Sequence, residues 1–197
     1  MNIQETVCNT YKSAKKYSDT HKNGNRSSKR TDILNKGTTE LISNTVISID
    51  DYKIDPERKI SCSRGGKFAV DIVLTPKKRS SPRINILIKS VESSYNKNRH
   101  NYLNSMVGEV QRVYGCEENK DSITIFINYI PEVIPTKNKK GEILTYEKSN
   151  VTNMSTALSS LSGGKAFVLD FLLSEDLTRI SNAKSIRKII SKIRQEI

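Results

Sequence analysis

The sequence contains no long apolar segment. It has no uninterrupted run of about 18 apolar residues, the length needed to cross a bilayer as a helix. Its N-terminal residues, MNIQETVCNT, lack the apolar stretch of a secretory signal peptide. Both absences argue against membrane insertion and export, so we expect a soluble cytoplasmic protein with no membrane partner.

Cysteines and well-known catalytic motifs are also scarce. The three cysteines, Cys8, Cys62 and Cys116, are scattered without C-x-x-C spacing. Neither SRGGK nor SGGK has the spacing of a phosphate-binding loop, G-x-x-x-x-G-K-[ST], and no G-x-S-x-G element occurs. The sequence therefore does not indicate a zinc site, a disulfide framework, a P-loop or a serine hydrolase.

Acidic residues are the third shortage. Lysine and arginine number 33 against 21 aspartates and glutamates, which gives a net charge of +12. Such an excess favours a polyanionic partner, and double-stranded DNA is the partner that we expect. An anionic membrane surface, or a need for solubility alone, is compatible with the same charge.

Composition divides the 197 residues into two parts. Residues 1–36 are polar, basic and nearly free of aliphatic side chains, which predicts a weakly ordered N-terminal arm. This arm either embraces DNA or is a solvated tail. Residues 37–197 are long enough for one domain with a sizeable core.

Apolar periodicity in the second part predicts alternating helices and strands. The helix at 38–46 is expected to be capped by Thr38 or Thr39. In chain order we expect a helix at 38–46, a hairpin of strands 67–75 and 83–89, a helix at 98–115, a strand at 122–130, a surface excursion with a short strand at 143–146, a helix at 151–162, a strand at 165–173 and a terminal amphipathic helix. This order predicts an α/β (α+β) fold with a mixed central β-sheet flanked by helices.

Two charged residues interrupt the strands of the predicted hairpin. Asp71 lies within AVDIVL and Lys89 ends INILIK, where a buried charge is costly unless an opposite charge meets it. A hairpin can bring these side chains together at one edge of a sheet. They form either a structural ion pair or part of a phosphodiesterase site, in which carboxylates hold Mg²⁺ and the lysine polarises the attacking water.

An aspartate and a lysine placed across a hairpin resemble the D…(D/E)-x-K motif of PD-(D/E)xK nucleases. The stretches IKSVESSYNKNRHNYLNSMVGEVQRV and ITIFINYIPEVIP are similar to a region of certain type II restriction endonucleases, and the resemblance covers roughly residues 37–175. It implies a restriction-endonuclease-like fold, with Asp71 as the metal-binding aspartate, Lys89 as the catalytic lysine and Glu40 as an additional helical acid. Palindromic cutting of DNA would require a homodimer.

One position departs from the family pattern. The second acid, two residues before the lysine, is Leu87 here, and leucine cannot hold a metal. The sequence also resembles certain restriction enzymes in which this acid lies on the helix that follows the lysine strand. On a helical wheel of residues 101–114, Glu109 borders the apolar face, although it could instead snorkel or pair with Arg112. Glu92, three residues after Lys89, is the alternative acid.

A polar segment follows the lysine directly. Asparagine and arginine can read base edges, and serine, lysine and arginine can bind phosphates. The residues expected to contact DNA are Ser93, Ser94, Asn96, Lys97, Asn98, Arg99, His100 and Asn101. The same composition is also typical of an ordinary loop.

Three functions are compatible with these patterns. The first is a Mg²⁺-dependent DNA endonuclease of restriction type, with Asp71 and Glu109 as metal ligands, Lys89 positioning water and Glu40 assisting. The second, motivated by Leu87, is a DNA-binding protein that keeps a nuclease-like fold without its activity. The third is a basic interaction protein with no nucleic-acid role.

Overall fold

The computed structural model describes residues 2–21, 24, 27–62, 66–78, 82–151 and 154–197. Five helices and seven strands follow one another along these residues. Their bounds are α1 Ile3–Thr20, α2 Ser28–Thr45, β1 Tyr52–Cys62, β2 Gly66–Pro76, β3 Ile84–Ser90, α3 Tyr95–Tyr114, β4 Ile123–Pro131, β5 Val133–Lys137, β6 Ile143–Lys148, α4 Ser155–Ser162, β7 Ala166–Leu173 and α5 Ala183–Glu196.

Five strands form one mixed sheet in the order β1-β2-β3-β4-β7. The pairs β1/β2 and β2/β3 are antiparallel, whereas β3/β4 and β4/β7 are parallel. Every residue of β4 is buried, as expected for a central strand covered on both faces. The predicted mixed sheet flanked by helices is therefore confirmed, and the hairpin-turn residues 79–81 lie outside the described residues.

Helices cover the two faces of this sheet unequally. On one face α1, α2 and α5 pack over a core that contains Ile72 and Ile86. On the other face α3 and α4 pack over a second core that contains Val73 and Leu87. Because side chains alternate along a strand, Asp71 and Lys89 fall on the face that α3 covers.

The prediction of a weakly ordered arm at residues 1–36 is wrong, because α1 and the first part of α2 occupy its described residues. The side chains that α1 buries in the first core include Val7, Cys8, Tyr11 and Ala14. α1 and α2 approach so closely that a Cβ atom at Gly37 would overlap the side chain of Thr10. The segment escaped prediction because its apolar face is narrow and lysines fill the remaining surface.

Two other boundaries differ from expectation. The helix expected at 38–46 begins at Ser28, and its N-cap is Ser27, whose side chain accepts a hydrogen bond from the amide of Lys29 at 3.2 Å. β1 was not expected because its middle residues are exposed and polar. It is an edge strand, where Pro56 is tolerated.

Candidate active site

A row of polar side chains crosses the three parallel strands near their carboxyl ends. In the register of the sheet, Lys89 of β3 lies beside Asn128 of β4, and Asn128 lies beside Asp170 of β7. Each residue follows, by two positions, an apolar residue that packs beneath α3 or α4. In open α/β sheets this edge is where ligands generally bind.

Asp71 joins this row from β2. The ladder between β2 and β3 ends at the pair Ile72 and Ile86. Immediately beyond it, Oδ2 of Asp71 accepts a hydrogen bond from the backbone amide of Ile88 at 2.7 Å. The side chain replaces a ladder bond where the strands separate, which fixes its carboxylate next to the strand position of Lys89.

Glu109 of α3 closes the cluster from above the sheet. Its Oε1 lies 2.9 Å from Nζ of Lys89, and the two side chains are only 15% and 20% exposed. Ser105, one turn earlier, donates to the same oxygen at 3.1 Å and accepts from Lys89 at 3.3 Å. The predicted position of Glu109 at the edge of the apolar face therefore agrees with the structure.

The second carboxylate oxygen of Glu109 is the unusual feature of this contact. Oε2 is buried and has no hydrogen-bond partner among the residues that the structure describes. A buried acceptor without a partner typically costs about 1–3 kcal/mol. A cation, or a hydrogen-bond donor on a ligand, would remove this cost.

Burial raises the pKa of both aspartates in the row. It raises the pKa of Asp71 above its ordinary value, although the amide of Ile88 and the charge of Lys89 act in the opposite direction. The charges of Glu109 and Glu57 raise the pKa of Asp71 further. Burial also raises the pKa of Asp170, against a hydrogen bond from Asn128.

Asn128 and Asp170 were missed by sequence reasoning. Nδ2 of Asn128 donates to Oδ1 of Asp170 at 2.7 Å, while Oδ1 of Asn128 is buried without a hydrogen-bond partner in the described part of the chain. Together with Lys89, Tyr95 and Tyr102 they line a cavity of about 10 Å³, the size of one water molecule. The sequence does contain a signal for these two residues, because Asn128 and Asp170 each interrupt an otherwise apolar strand, ITIFINYI and AFVLDFLL.

Glu57 of β1 is a second residue that sequence reasoning missed. It has a left-handed backbone with φ of 51°, which a non-glycine residue adopts at a cost of about 1–2 kcal/mol. It lies between the register pairs of Pro56 with Ile72 and Arg58 with Val70, and thus opposite Asp71. Its exposed carboxylate adds negative charge beside the row.

Two predicted acids lie elsewhere. Glu40 is on α2, which packs on the opposite face of the sheet, and it lines a cleft with Asp32 and Glu57 rather than joining the cluster. Glu92, the alternative to Glu109, lies 2.8 Å from Nε of Arg30 and accepts from Ser18 at 2.8 Å. Glu92 therefore attaches the N-terminal helices to the segment after Lys89, and the structure brings only Glu109 to the lysine.

The segment predicted to contact DNA is largely occupied by other contacts. Its first residues lead into α3, and Ser94 is buried. Asn96 donates to the backbone of Lys148 at 2.9 Å, Arg99 donates to the backbone of Asn150 at 3.4 Å, and Asn98 donates back to Ser94 at 3.0 Å. The exposed members are Lys97, His100 and Asn101, and Ser93 is half-buried.

No protein-family model and no curated protein matches this sequence. The resemblance to PD-(D/E)xK nucleases therefore stays a prediction from the sequence. In the described ranges, no helix is both long and apolar enough to cross a membrane.

Replacing Asp71 by asparagine tests whether this carboxylate is kept for function. Because its pKa is raised above 3.8, the folded state holds the proton more tightly than the unfolded state. Asp71 therefore lowers stability progressively as the pH rises from the unfolded pKa through the folded one, and the loss is complete above the folded pKa. We expect Asp71→Asn to keep or raise the Tm at pH 7.5.

Thermal unfolding followed by circular dichroism between pH 4 and 8 measures this effect. The matched control is Asp121→Asn at a fully exposed aspartate, for which we expect little change in Tm. A large fall in Tm for Asp71→Asn would show that the carboxylate is needed mainly to bond the amide of Ile88.

Proposed function

We propose that the protein is a Mg²⁺-dependent endonuclease that hydrolyses phosphodiester bonds in double-stranded DNA, of the sequence-specific restriction type. The observation that carries the proposal is the half-buried contact between Lys89 and Glu109, which leaves Oε2 of Glu109 without a partner in the described residues. Asp71 lies beside this contact, held by the amide of Ile88. The net charge of +12 suits a polyphosphate substrate.

The oxygen donors of this cluster fit Mg²⁺. Asp71 and Glu109 supply carboxylate oxygens, and one oxygen of Glu109 is buried with no described partner. Among the described residues no group of three or more histidine, cysteine, aspartate or glutamate side chains is arranged to hold a metal. Mg²⁺ commonly uses only one or two carboxylates and completes its shell with water and substrate phosphate. Bound there, it would supply positive charge beside the scissile phosphate.

The side chains of this chain have distinct roles in the proposed reaction. Lys89 would donate a hydrogen bond from Nζ to the attacking water or to the phosphate, where negative charge develops. Ser105 and Glu109 hold that ammonium in place. In the overall hydrolysis water adds to phosphorus, the bond from phosphorus to one ester oxygen breaks, and the proton passes to the leaving oxygen.

Incubation with DNA and Mg²⁺, with and without chelator, tests the activity. We expect discrete fragments from wild-type protein only when metal is present. Glu109→Gln, which keeps the shape but loses the charge, should lower cleavage at least about 100-fold. The matched control Glu117→Gln removes an exposed carboxylate that contacts Lys120, and it should cleave like wild type.

A catalytically inactive DNA-binding protein is the second candidate. Leu87 favours it, because this leucine is buried under α3 at the position where the nuclease pattern has an acid. Intact DNA at every metal concentration, together with a gel shift that weakens as salt rises, would support this candidate and contradict the endonuclease.

A further inference from the structure

A two-stranded ribbon projects from the edge of the sheet that carries the polar row. β5 and β6 pair with each other and not with the main sheet, and we call residues 133–148 the ribbon. It begins at Val133, two residues after β4 ends and five residues after Asn128. The ribbon therefore leaves directly from the carboxyl end of one of the parallel strands.

Apolar side chains are unusually exposed on this ribbon. Ile143, Leu144 and Tyr146 are 51%, 66% and 64% exposed, and the only other large apolar residue with comparable exposure in the described chain is Leu161. Ile143 and Leu144 are adjacent on β6, so they point to opposite faces of the ribbon. The base of the ribbon packs on the protein through the buried Ile134, so the exposed apolar side chains near the tip are the part that a partner can contact.

The tip of the ribbon is basic and internally ordered. Asn138 accepts hydrogen bonds from the amides of Lys140 and Glu142 at 2.9 and 3.0 Å. Nδ2 of Asn138 also donates to the carboxylate of Glu142 at 2.6 Å, so this carboxylate already has a hydrogen-bond partner within the turn. Gly141 has a φ of 85°, a left-handed conformation that glycine adopts without strain. This turn presents the exposed Lys139 and Lys140 outward.

Hydrogen bonds attach the ribbon to the start of α3, the helix that carries Glu109. The backbone amide of Ser94 donates to Pro135 at 2.9 Å, and its hydroxyl accepts from the amide of Lys137 at 3.2 Å. Asn96 bonds the other strand at both of its amide atoms, to Lys148 and to Asn150, each at 2.9 Å. Residues at the start of α3 therefore connect the ribbon to the helix that carries Glu109.

From these features we infer that the ribbon enters the major groove of double-stranded DNA, which deepens and rests on the proposed endonuclease function. The major groove is wide enough to admit a two-stranded β-ribbon. Lys139 and Lys140 contact phosphates at its rim, and Leu144 and Tyr146 lie against base edges, where thymine methyl groups offer apolar contact. The ribbon thus performs the recognition that the sequence pattern had placed at residues 93–101.

Binding without cleavage tests the inference. The affinity of the full-length protein for a mixed-sequence duplex is measured by fluorescence anisotropy in EDTA across a salt series. The variant is Lys139→Ala/Lys140→Ala. The matched control is Lys184→Ala/Lys188→Ala, which removes the same charge from exposed positions on α5, across the sheet from α3.

We expect the ribbon variant to bind about tenfold or more weakly, and its salt slope to fall by about two, because each phosphate-binding lysine contributes about one. The control should change neither the affinity nor the slope. Equal affinity for both variants would overturn the ribbon assignment while leaving the endonuclease intact. No DNA binding by wild type at low salt would overturn both.

A second variant, Leu144→Ser/Tyr146→Ser, distinguishes DNA from a second copy of the chain as the occupant. Loss of the sequence preference of binding or cutting, with an unchanged sedimentation coefficient, supports DNA. A change from dimer to monomer with unchanged DNA affinity would show that the ribbon is a subunit interface, and would contradict the inference.

Discussion

Lys89→Met is expected to lower metal-dependent DNA cleavage by about 10²–10³-fold, because it removes the only described side-chain donor that contacts Glu109 with a full positive charge. Methionine keeps most of the length of the side chain, so the strand and the packing beneath α3 should be preserved. The affinity for DNA in EDTA should change little, since one lysine among 33 basic residues is lost. Single-turnover cleavage measures the effect.

The same substitution leaves Glu109 half-buried and without its cation. We expect the free energy of unfolding to fall by about 1–3 kcal/mol, the usual cost of an unsatisfied buried polar group. Adding Glu109→Gln should recover most of this loss, because replacing both charged partners is far less costly than removing one. The double variant should nevertheless remain inactive.

This separation of stability from activity is the decisive comparison. If the Lys89 to Glu109 contact were only structural, the double variant would regain cleavage along with stability. Lys120→Met is the matched control, since Lys120 contacts Glu117 at an exposed position, and it should alter neither quantity. Cleavage by Lys89→Met at the wild-type rate would remove the lysine from the proposed reaction.

Tyr11→Ala is expected to destabilise the protein by about 3–5 kcal/mol. Tyr11 is 1% exposed on α1, and its hydroxyl donates to the backbone of Val91 at 2.8 Å. Beside it, Arg30 donates to Ser90 at 2.7 Å. Both contacts attach the N-terminal helices to the residues that immediately follow Lys89, so the substitution should also loosen the end of β3.

Urea denaturation measures the effect of Tyr11→Ala, and two further variants interpret it. Tyr11→Phe keeps the ring but leaves the carbonyl of Val91 without this donor, and we expect it to cost about 1–3 kcal/mol. Lys16→Ala, at an exposed position of the same helix, should fall within about 0.5 kcal/mol of wild type. A loss below about 1 kcal/mol for Tyr11→Ala would show that α1 contributes little to the domain.

The elements predicted correctly from the sequence are those whose local pattern is strong. The hairpin of β2 and β3, the helix that ends at Gly115, and the apolar strands β4 and β7 are all present. In each of them, apolar periodicity and turn residues lie within one short window. β1 and α1 are different, because polar and charged residues interrupt their apolar pattern, and the side chains that they bury become recognisable only once the rest of the core is known.

The candidate site divides in the same way. Glu109 could be predicted because its place on a helical wheel is a local property, and the structure brings it to Lys89. Asn128 and Asp170 could not be placed beside Lys89, because the register of parallel strands is set by long-range packing. The composition of residues 93–101 predicts contacts with DNA. Composition alone does not reveal that several of these side chains already form hydrogen bonds within the protein.

The polar row can form only when the sheet has folded completely. Its four members, Asp71, Lys89, Asn128 and Asp170, come from four strands and become neighbours only when distant segments have paired. Parallel pairing of this kind closes long loops and forms slowly. A nascent or partly unfolded chain would therefore hold these groups apart, and on the proposed function it would be harmless to the DNA of its own cell.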